Sequence, residues 1–442
     1  MFVPLIILLL FLLVASFWLS RVLSPDNRVA ERFFYDSNDN PTRLNGILPR
    51  DDAPTHYAGD PPAEQWPAVT IICPGRNEGH VLESTLGSLC RVDYSAGKLR
   101  IIFVDDQSTD NTPEVCATLT ARYPHLTILR TQADPPAGWV GKIWAIHQAD
   151  AYIQAPQEPG DYLLFVDSDL CFHPACLQQM IRLARHRNTD LLSLLPFIDC
   201  PTLGEKLGIL MGLQLIALKY PLRQSNNPRS PICLVAGGFL LFKRASYLAL
   251  GATAAGAEGG RGGHAAIRGQ MVEDIALGTM AKNRGLRVYT VGTHALLTGR
   301  MYEGWADTFR GLKKNSYAGA NYQLPLAVLA ILLLTILFVA MPLYPLVGLG
   351  WWILHPGYYS FSLLVLGVGA WACMLWAARR AGNLLKFPAY LAWLTPLAAA
   401  FFLLIFGASI LEHHRGGNQW SGRRYRKEHV SALNELPPRD TM

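Results

Sequence analysis

The sequence is short of charge and has no paired cysteines, and both deficits narrow its class. Only 16% of its 442 residues are charged, and the net charge is +6. Nothing in it resembles a nucleic-acid module, so no nucleic-acid partner is expected. Its eight cysteines include no CxxC pair, which argues against a structural zinc site and for reduced cytosolic thiols. The first strand-like run is followed by PGRNE rather than GxGxxG, which argues against a Rossmann oxidoreductase. A GxxxxGK[ST] phosphate loop is also missing.

What the chain has in quantity is apolar residues. They make up half of it, and the mean hydropathy is positive. That is too apolar for an ordinary soluble enzyme and too polar for a pure transporter. Four runs, Met1–Leu19, Leu324–Gly350, Tyr358–Ala378 and Phe387–Leu411, approach the roughly 20 residues a helix needs to cross the hydrocarbon core. The first is longer than a usual signal core and no basic residue precedes it, so it reads as a retained anchor. Arg21, Arg28 and Arg32 follow it, which places the next domain in the cytoplasm. Arg300, Arg310, Lys313 and Lys314 precede the second run, and Arg415, Arg423, Arg424, Arg426 and Lys427 follow the last. Such clusters favour anionic head groups, so the expected location is the inner, cytoplasmic membrane, with several passes.

The late runs conflict with one another. Three complete crossings would carry the basic tail away from the cytoplasmic domain, yet Arg379, Arg380 and Lys386 also call for the cytoplasm. One run must then be re-entrant or interfacial. Leu324–Gly350, interrupted by Pro342 and Pro345, is the candidate. The resulting division is an anchor over 1–22, a linker over 23–67, a cytoplasmic domain over 68–322, membrane helices over 323–412 and a basic tail over 413–442.

Within the cytoplasmic domain, VTIIC (69–73), RIIFV (100–104), LTIL (126–129) and YLLFV (162–166) alternate with helical stretches such as Val81–Cys90 and Thr112–Tyr123. This predicts βαβ units and a largely parallel sheet covered by helices on both faces. Ligands bind such sheets at the carboxyl ends of the strands, where PGRNE, DDQSTDNT and DSD fall. Leu234–Ser246 reads as a buried strand with a Gly-Gly close approach, Thr253–Gly263 as a mobile glycine-rich segment, Glu273–Arg284 as a helix and Arg287–Val291 as a strand. Glu303–Tyr317 reads as an interfacial helix.

Five constellations carry possible chemistry. Asp167-Ser168-Asp169 sets two carboxylates at a buried strand end, where a divalent cation, Mn2+ or Mg2+, would compensate them and bridge to a diphosphate; a surface loop is the plain alternative. Asp105 and Asp106 are placed to reach a nucleotide base or ribose, while Ser108, Thr109 and Asp110 cap the following helix. In Pro74-Gly75-Arg76-Asn77-Glu78, Gly75 admits a ligand and Arg76 meets phosphate or carboxylate, unless the segment is only a turn. Lys142, in GWVGK at a helix start, makes an anion site with the free N–H groups; otherwise it is a surface lysine. Asp274, in Glu273-Asp274, is a candidate general base, or the acidic first turn that the helix dipole favours.

The ordered set PGRNE, VDDQSTDNT, GWVGK, DSD, GG and VED, with spans at both ends, resembles the family-2 glycosyltransferases of the GT-A fold over about Val69–Tyr322. GWVGKIWA, GHAAIRGQMVEDIALG, RMYEGW…KKNSYAGA and QWSGRRY are most similar to the hopanoid-associated and carotenoid (diaponeurosporenoate-type) members. The resemblance implies a Rossmann-like α/β domain with transmembrane helices. It implies an inverting, metal-dependent transfer from a UDP- or GDP-linked sugar to a membrane lipid. It also implies Asp274 as base, Asp169 and Asp167 on the metal, and Pro74, Arg76, Glu78, Asp105, Asp106, Lys142, Asp167 and Ser168 on the donor. The processive members' QxxRW is missing, which argues for a single transfer and leaves Trp420 and Arg423 as candidates for closing over the donor. A polyprenyl phosphate, glycerolipid or sphingolipid acceptor stays open, as does a donor-binding scaffold without catalysis.

Overall fold

The structure, a computed structural model, describes residues 2–23, 34–35, 66–95, 97–154, 162–252, 263–270, 272–320, 322–415, 419–420 and 423–424. Most of the expected linker, the 253–262 segment and most of the tail lie outside the described residues. The chain forms two compact units, and each is described by itself.

The first unit to consider comprises Arg32–Asp199, Tyr220–Met301 and Gly416–Met442. Its main sheet is built from β1 (Phe34–Tyr35), β2 (Val69–Gly75), β3 (Leu99–Asp105), β4 (Leu126–Arg130), β5 (Tyr162–Val166), β7 (Leu191–Leu195), β9 (Phe239–Lys243) and β10 (Val288–Thr293). A smaller sheet joins β6 (Leu170–Phe172), β8 (Phe197–Ile198) and β11 (Leu297–Gly299) in the order β6-β11-β8. The main sheet runs β1-β10-β7-β9-β5-β2-β3-β4. Every pairing is parallel except those of β9, which runs against both β5 and β7.

Alternation along the strands produces two cores. Val69, Ile71, Cys73, Ile101, Phe103 and Leu164 point to one face, with helices Leu82–Cys90 and Cys176–Arg187. Ile72, Ile102, Val104, Leu163 and Phe165 point to the other, with helices Gly141–Gln148, Arg244–Ala252 and Glu273–Asn283. A strand buried on both faces needs apolar residues at consecutive positions, which is why these strands read as unbroken apolar runs. The expected strand over 234–246 shrinks to Phe239–Lys243, with helix from Arg244.

From β2 the chain moves outward to β3 and β4, then returns to β5 on the other side of β2. The switch point therefore lies between β2 and β5, and the turns after both strands open onto one crevice. The reversed strand β9 begins at this same edge, because Phe239 pairs with Val166 at the end of β5. That brings Gly237-Gly238 beside Asp167.

Helix Glu273–Asn283 is gripped at its far end. The buried Lys282 ammonium donates to the carbonyls of Ile232 at 2.6 Å, Asn227 at 3.1 Å and Gln224 at 3.4 Å. Nearby, Asn226 exchanges two hydrogen bonds with the Thr290 backbone on β10, at 2.8 and 2.7 Å.

The other unit comprises Met1–Glu31, Cys200–Lys219 and Tyr302–Arg415. The sequence division kept 200–219 and 302–322 in one continuous domain over 68–322. The structure instead groups them with the apolar helices, because helix Leu203–Lys219 takes Trp305 against Gly204 and Thr308 against Gly208. Among the described residues two helical segments, Tyr358–Leu384 and Ala389–Arg415, are long and apolar enough to cross a membrane, and a third counts if Leu324–Val339 and Leu343–Leu354, bent by 62°, form one span. The bend falls at the break containing Pro342. Beyond it, Gly348 and Gly367 let helices Leu343–Leu354 and Tyr358–Leu384 pack backbone to backbone, the close approach that small residues permit between apolar helices.

Lys282→Met should lower stability by about 2–3 kcal/mol, since it strands carbonyls that a charged donor now satisfies. Thermal denaturation of the purified protein in detergent checks this, and an unchanged midpoint would show that the 224–232 loop is held by other contacts.

Candidate active site

The crevice is assembled from turns whose polar residues bond to one another. After β2, Asn77 adopts φ 59°, its N–H donates to Ser108 Oγ at 2.9 Å, and its Oδ1 accepts the Thr109 N–H at 2.8 Å. Glu78 N–H donates to Thr112 Oγ1 at 3.0 Å and Gly79 N–H to Asp110 Oδ2 at 3.1 Å. Ser108, Thr109 and Asp110 thus lock the β2 turn to the β3 turn; of the three expected helix caps only Asp110 reaches the helix Thr112–Arg122, its Oδ1 accepting the Thr112 N–H at 3.0 Å, because the other two are spent on Asn77. Gly75 is required here, because a Cβ would lie 2.7 Å from the Phe103 ring and 3.2 Å from Ser168 Cβ.

The two aspartates at the end of β3, Asp105 in the strand and Asp106 just beyond it, are buried and differ in their partners. Asp105 Oδ1 accepts the Ser108 N–H at 2.9 Å, and Oδ2 faces Arg130 Nε at 3.6 Å. Both of its oxygens serve the turn, which is a structural use that the donor-binding expectation did not foresee. Asp106 Oδ1 accepts from Thr131 Oγ1 at 3.2 Å. Arg76 Nη1 donates to the Asp106 carbonyl at 2.6 Å, while its buried Nε has no partner among the described residues.

The centre of the crevice is Lys142. Its ammonium lies 2.6 Å from Asp167 Oδ1 and 2.6 Å from Glu273 Oε1. Burial works against its charge, but Asp167 and Glu273 outweigh it and hold the lysine well above its ordinary pKa. It reaches them from the first turn of Gly141–Gln148, a segment anchored where Val140 N–H donates to the Arg268 carbonyl at 2.8 Å. Trp139 stacks on His147 behind it, at 4.7 Å between ring centres.

Asp274 sits beside this bridge. Oδ2 accepts the Gly237 N–H at 3.0 Å and Oδ1 the Ile275 N–H at 2.7 Å. Burial first, then the Glu273 charge, push its carboxyl well above the usual range. A Cβ on Gly237 would lie 3.2 Å from Lys142 Nζ and 3.5 Å from Asp274 Cβ, so the first glycine of the pair lets the backbone reach both. Ser193 of β7 fixes that backbone by accepting the Ala236 N–H at 2.8 Å.

On the strand-end side, Asp169 is exposed and Ser168 buried against Gly75. Burial, then Asp169, Asp110 and Asp167, push Glu78 up to about 7. Among the described residues no three His, Cys, Asp or Glu converge as a metal cage. A pair of carboxylates completed by phosphate oxygens suits a hard divalent cation, and the acidic neighbours that add to burial in raising Glu78 carry the kind of charge such an ion offsets.

Pro74, Arg76, Glu78, Asp106, Lys142, Asp167, Ser168, Asp169 and Asp274 thus stand in or beside one crevice. The side chains of Trp420 and Arg423 lie outside the described residues; their backbones pair in a short antiparallel ribbon. Sequence reasoning gave no role to Glu273 as the second carboxylate on Lys142, to the Gly237 N–H or to Ser193. A lone serine in the apolar strand LLSLL was the available sign of the last.

Residues 70–251 match the family model of glycosyl transferase family 2. A 4,4'-diaponeurosporenoate glycosyltransferase of Staphylococcus aureus is 25% identical over 372 residues, covering 81% of this chain and 88% of the relative. A beta-monoglucosyldiacylglycerol synthase of Synechocystis is 31% identical over 93 residues, covering 21% of this chain and 19% of the relative; the match therefore spans about a fifth of that enzyme's length. Among solved structures, the mannosyltransferase PcManGT of Pyrobaculum calidifontis, in complex with GDP-Man and Mn2+, aligns at a TM-score of 0.46 with 16% identity, covering 91% of this chain and 99% of that one.

Lys142→Met should cost about 1–3 kcal/mol, between the values for exposed and buried pairs. Without the ammonium, Asp167 and Glu273 lose their shared counter-charge. Melting curves of the variant and the parent check this, and an unchanged midpoint would show that the bridge does not stabilise the fold.

Proposed function

Because residues 70–251 belong to glycosyl transferase family 2, we propose that this protein moves one sugar per encounter from a UDP- or GDP-linked donor to the hydroxyl of a membrane lipid, with inversion at the anomeric carbon. The observation that carries the reading is the Lys142 bridge, with Asp167 and Glu273 each 2.6 Å from one ammonium. It holds the strand-end carboxylates and the helix bearing Asp274 around a single point.

In this mechanism Asp106 and the turn after β2 hold the nucleotide, and Arg76 and Lys142 face the diphosphate. Asp167 and Asp169 would hold Mn2+ or Mg2+, which supplies positive charge to the leaving diphosphate. Asp274, its two oxygens aimed by the Gly237 and Ile275 N–H groups, takes the acceptor's hydroxyl proton. As the acceptor oxygen bonds to the anomeric carbon, the bond from that carbon to the phosphate oxygen breaks, and the nucleoside diphosphate departs with the electron pair.

The acceptor class follows from where the chain resides. A hydroxyl on a carotenoid- or hopanoid-like lipid stays in the bilayer, and a chain with two or three helices able to cross a membrane among its described residues works at that surface, with its transferase domain on the cytoplasmic side of the inner membrane. The similarity along 81% of the chain to a carotenoid-acid glycosyltransferase favours this class. The shorter similarity to a diacylglycerol glucosyltransferase supports a glycerolipid as the second reading.

Nucleoside-diphosphate release from a panel of UDP- and GDP-sugars, with the protein in membranes and Mn2+ or Mg2+ present, tests the proposal. One donor should respond, and Asp274→Asn should cut transfer by roughly 10²–10⁴-fold, the usual worth of a positioned base. Unchanged transfer would remove Asp274 from the mechanism. Because Asp274 must be ionised and its pKa is raised, kcat/KM should rise with pH towards neutrality; a limb near the ordinary carboxylate value of about 4 would contradict the assignment. Asp169→Asn should weaken metal-dependent donor binding in calorimetry, and undiminished binding with Mn2+ would assign the metal elsewhere.

A further inference from the structure

We propose that helix Thr395–Arg415, the most C-terminal of the apolar helices, lies in the plane of the membrane surface, with its outer face against the lipid leaflet, and does not cross. Its composition alone would let it span. Its neighbours do not. Helices Leu203–Lys219, Gly304–Ser316 and Thr395–Arg415 run side by side in the same direction. Gly204 meets Trp305, Gly208 meets Thr308 and Phe401, and Lys219 Nζ donates to the Gly319 carbonyl at 2.9 Å. Phe401 packs on Trp305 and Phe309, at 5.0 and 6.3 Å between ring centres. Further along, Ser409 Oγ donates to the Lys313 carbonyl at 2.6 Å and accepts the Tyr317 N–H at 3.1 Å, and Lys313 pairs with Glu412 at 2.6 Å.

These contacts fix which residues share a level. Arg310 stands between Phe309, level with Phe401, and Lys313, level with Ser409. It is therefore beside the middle of Thr395–Arg415, and its side chain is 72% exposed, near Asp307 at 3.4 Å. If Thr395–Arg415 crossed the bilayer, Asp307 and Arg310 would be carried to mid-depth, where charged side chains are strongly disfavoured. Laid flat, the same layer keeps Asp307, Arg310 and Lys314 at the head groups. Leu397, Leu404 and Leu411, spaced by seven and 52%, 67% and 57% exposed, form one stripe for the acyl boundary. Basic Arg310, Lys314 and Arg415 suit an anionic leaflet.

The placement also satisfies the charges that three late crossings could not. The bent pair Leu324–Val339 and Leu343–Leu354 still advances roughly 30 Å at 1.5 Å per residue despite its bend, enough for one crossing of the core. Tyr358–Leu384 returns, leaving Arg379, Arg380 and Lys386 on the starting side. The chain then stays on that side, and the segment beyond Arg415 emerges there. This moves the exceptional run from Leu324–Gly350 to the last helix.

The inference rests on the membrane reading but not on the transferase activity, and its test reads neither donor nor product. Single cysteines replace Arg310, Lys386 and Arg415 in the full chain. An impermeant maleimide is applied to sealed vesicles before and after permeabilisation, and the parent's labelling, from a chain with six of its eight cysteines buried, is subtracted. All three positions should label from the same face; Lys386→Cys and Arg415→Cys labelling from opposite faces would overturn the proposal. Nitroxides at Leu397, Leu404 and Leu411, in vesicles of phosphatidylglycerol and phosphatidylethanolamine, should report equal shallow depths of about 5–10 Å. A Leu404 label deeper than both flanking labels would overturn the in-plane helix. Labels that meet no lipid, with protein that fails to sediment with the vesicles, would overturn the membrane reading as well.

Discussion

The active-site region depends on one ammonium. Asp167 follows a strand and Glu273 begins a helix more than a hundred residues later, and two carboxylates brought to one crevice repel each other. Lys142 converts that repulsion into two short ion pairs. The two carboxylates together outweigh the burial that works against the lysine's charge, and the lysine offsets their mutual repulsion. The antiparallel strand β9 serves the same point, because its reversal delivers Gly237 and its N–H to Asp274 at the same edge.

Much of this was legible in the residues. A strand buried on both faces cannot alternate, so the runs at 69–73, 100–104 and 162–166 declared both their class and their burial, and the polar turns after them declared the crevice. The antiparallel insertion was not legible, since a short strand such as Phe239–Lys243, four apolar residues and a lysine, carries no mark of its direction. Nor was the use of Asp105, because Asp105-Asp106 as a dipeptide cannot say which carboxylate turns inward to Ser108 and Arg130. Glu273 was visible as an acid at a helix start, but its pairing with Lys142 depends on a contact more than a hundred residues away in sequence.

The apolar helices show where composition stops being informative. Phe387–Leu411 passes every length and hydropathy expectation for a span, and only its neighbours carry the contrary information. Gly204 and Gly208 each leave room for a side chain of the helix at 304–316, and that helix carries Asp307, Arg310, Lys313 and Lys314. A segment's place in a bilayer is thus set by what it is packed against as well as by its own residues.

Helix Glu273–Asn283 has consequences as a mechanical object. It is a rigid rod about 16 Å long, with the carboxylates of the crevice on its first turn and Lys282, embedded among three carbonyls of the 224–232 loop, on its last. A rod held at both ends transmits displacement. Any substitution or ligand that shifts that loop must tilt the helix and so re-aim Asp274 relative to Gly237. The loop and the carboxylate behave as the two arms of one lever.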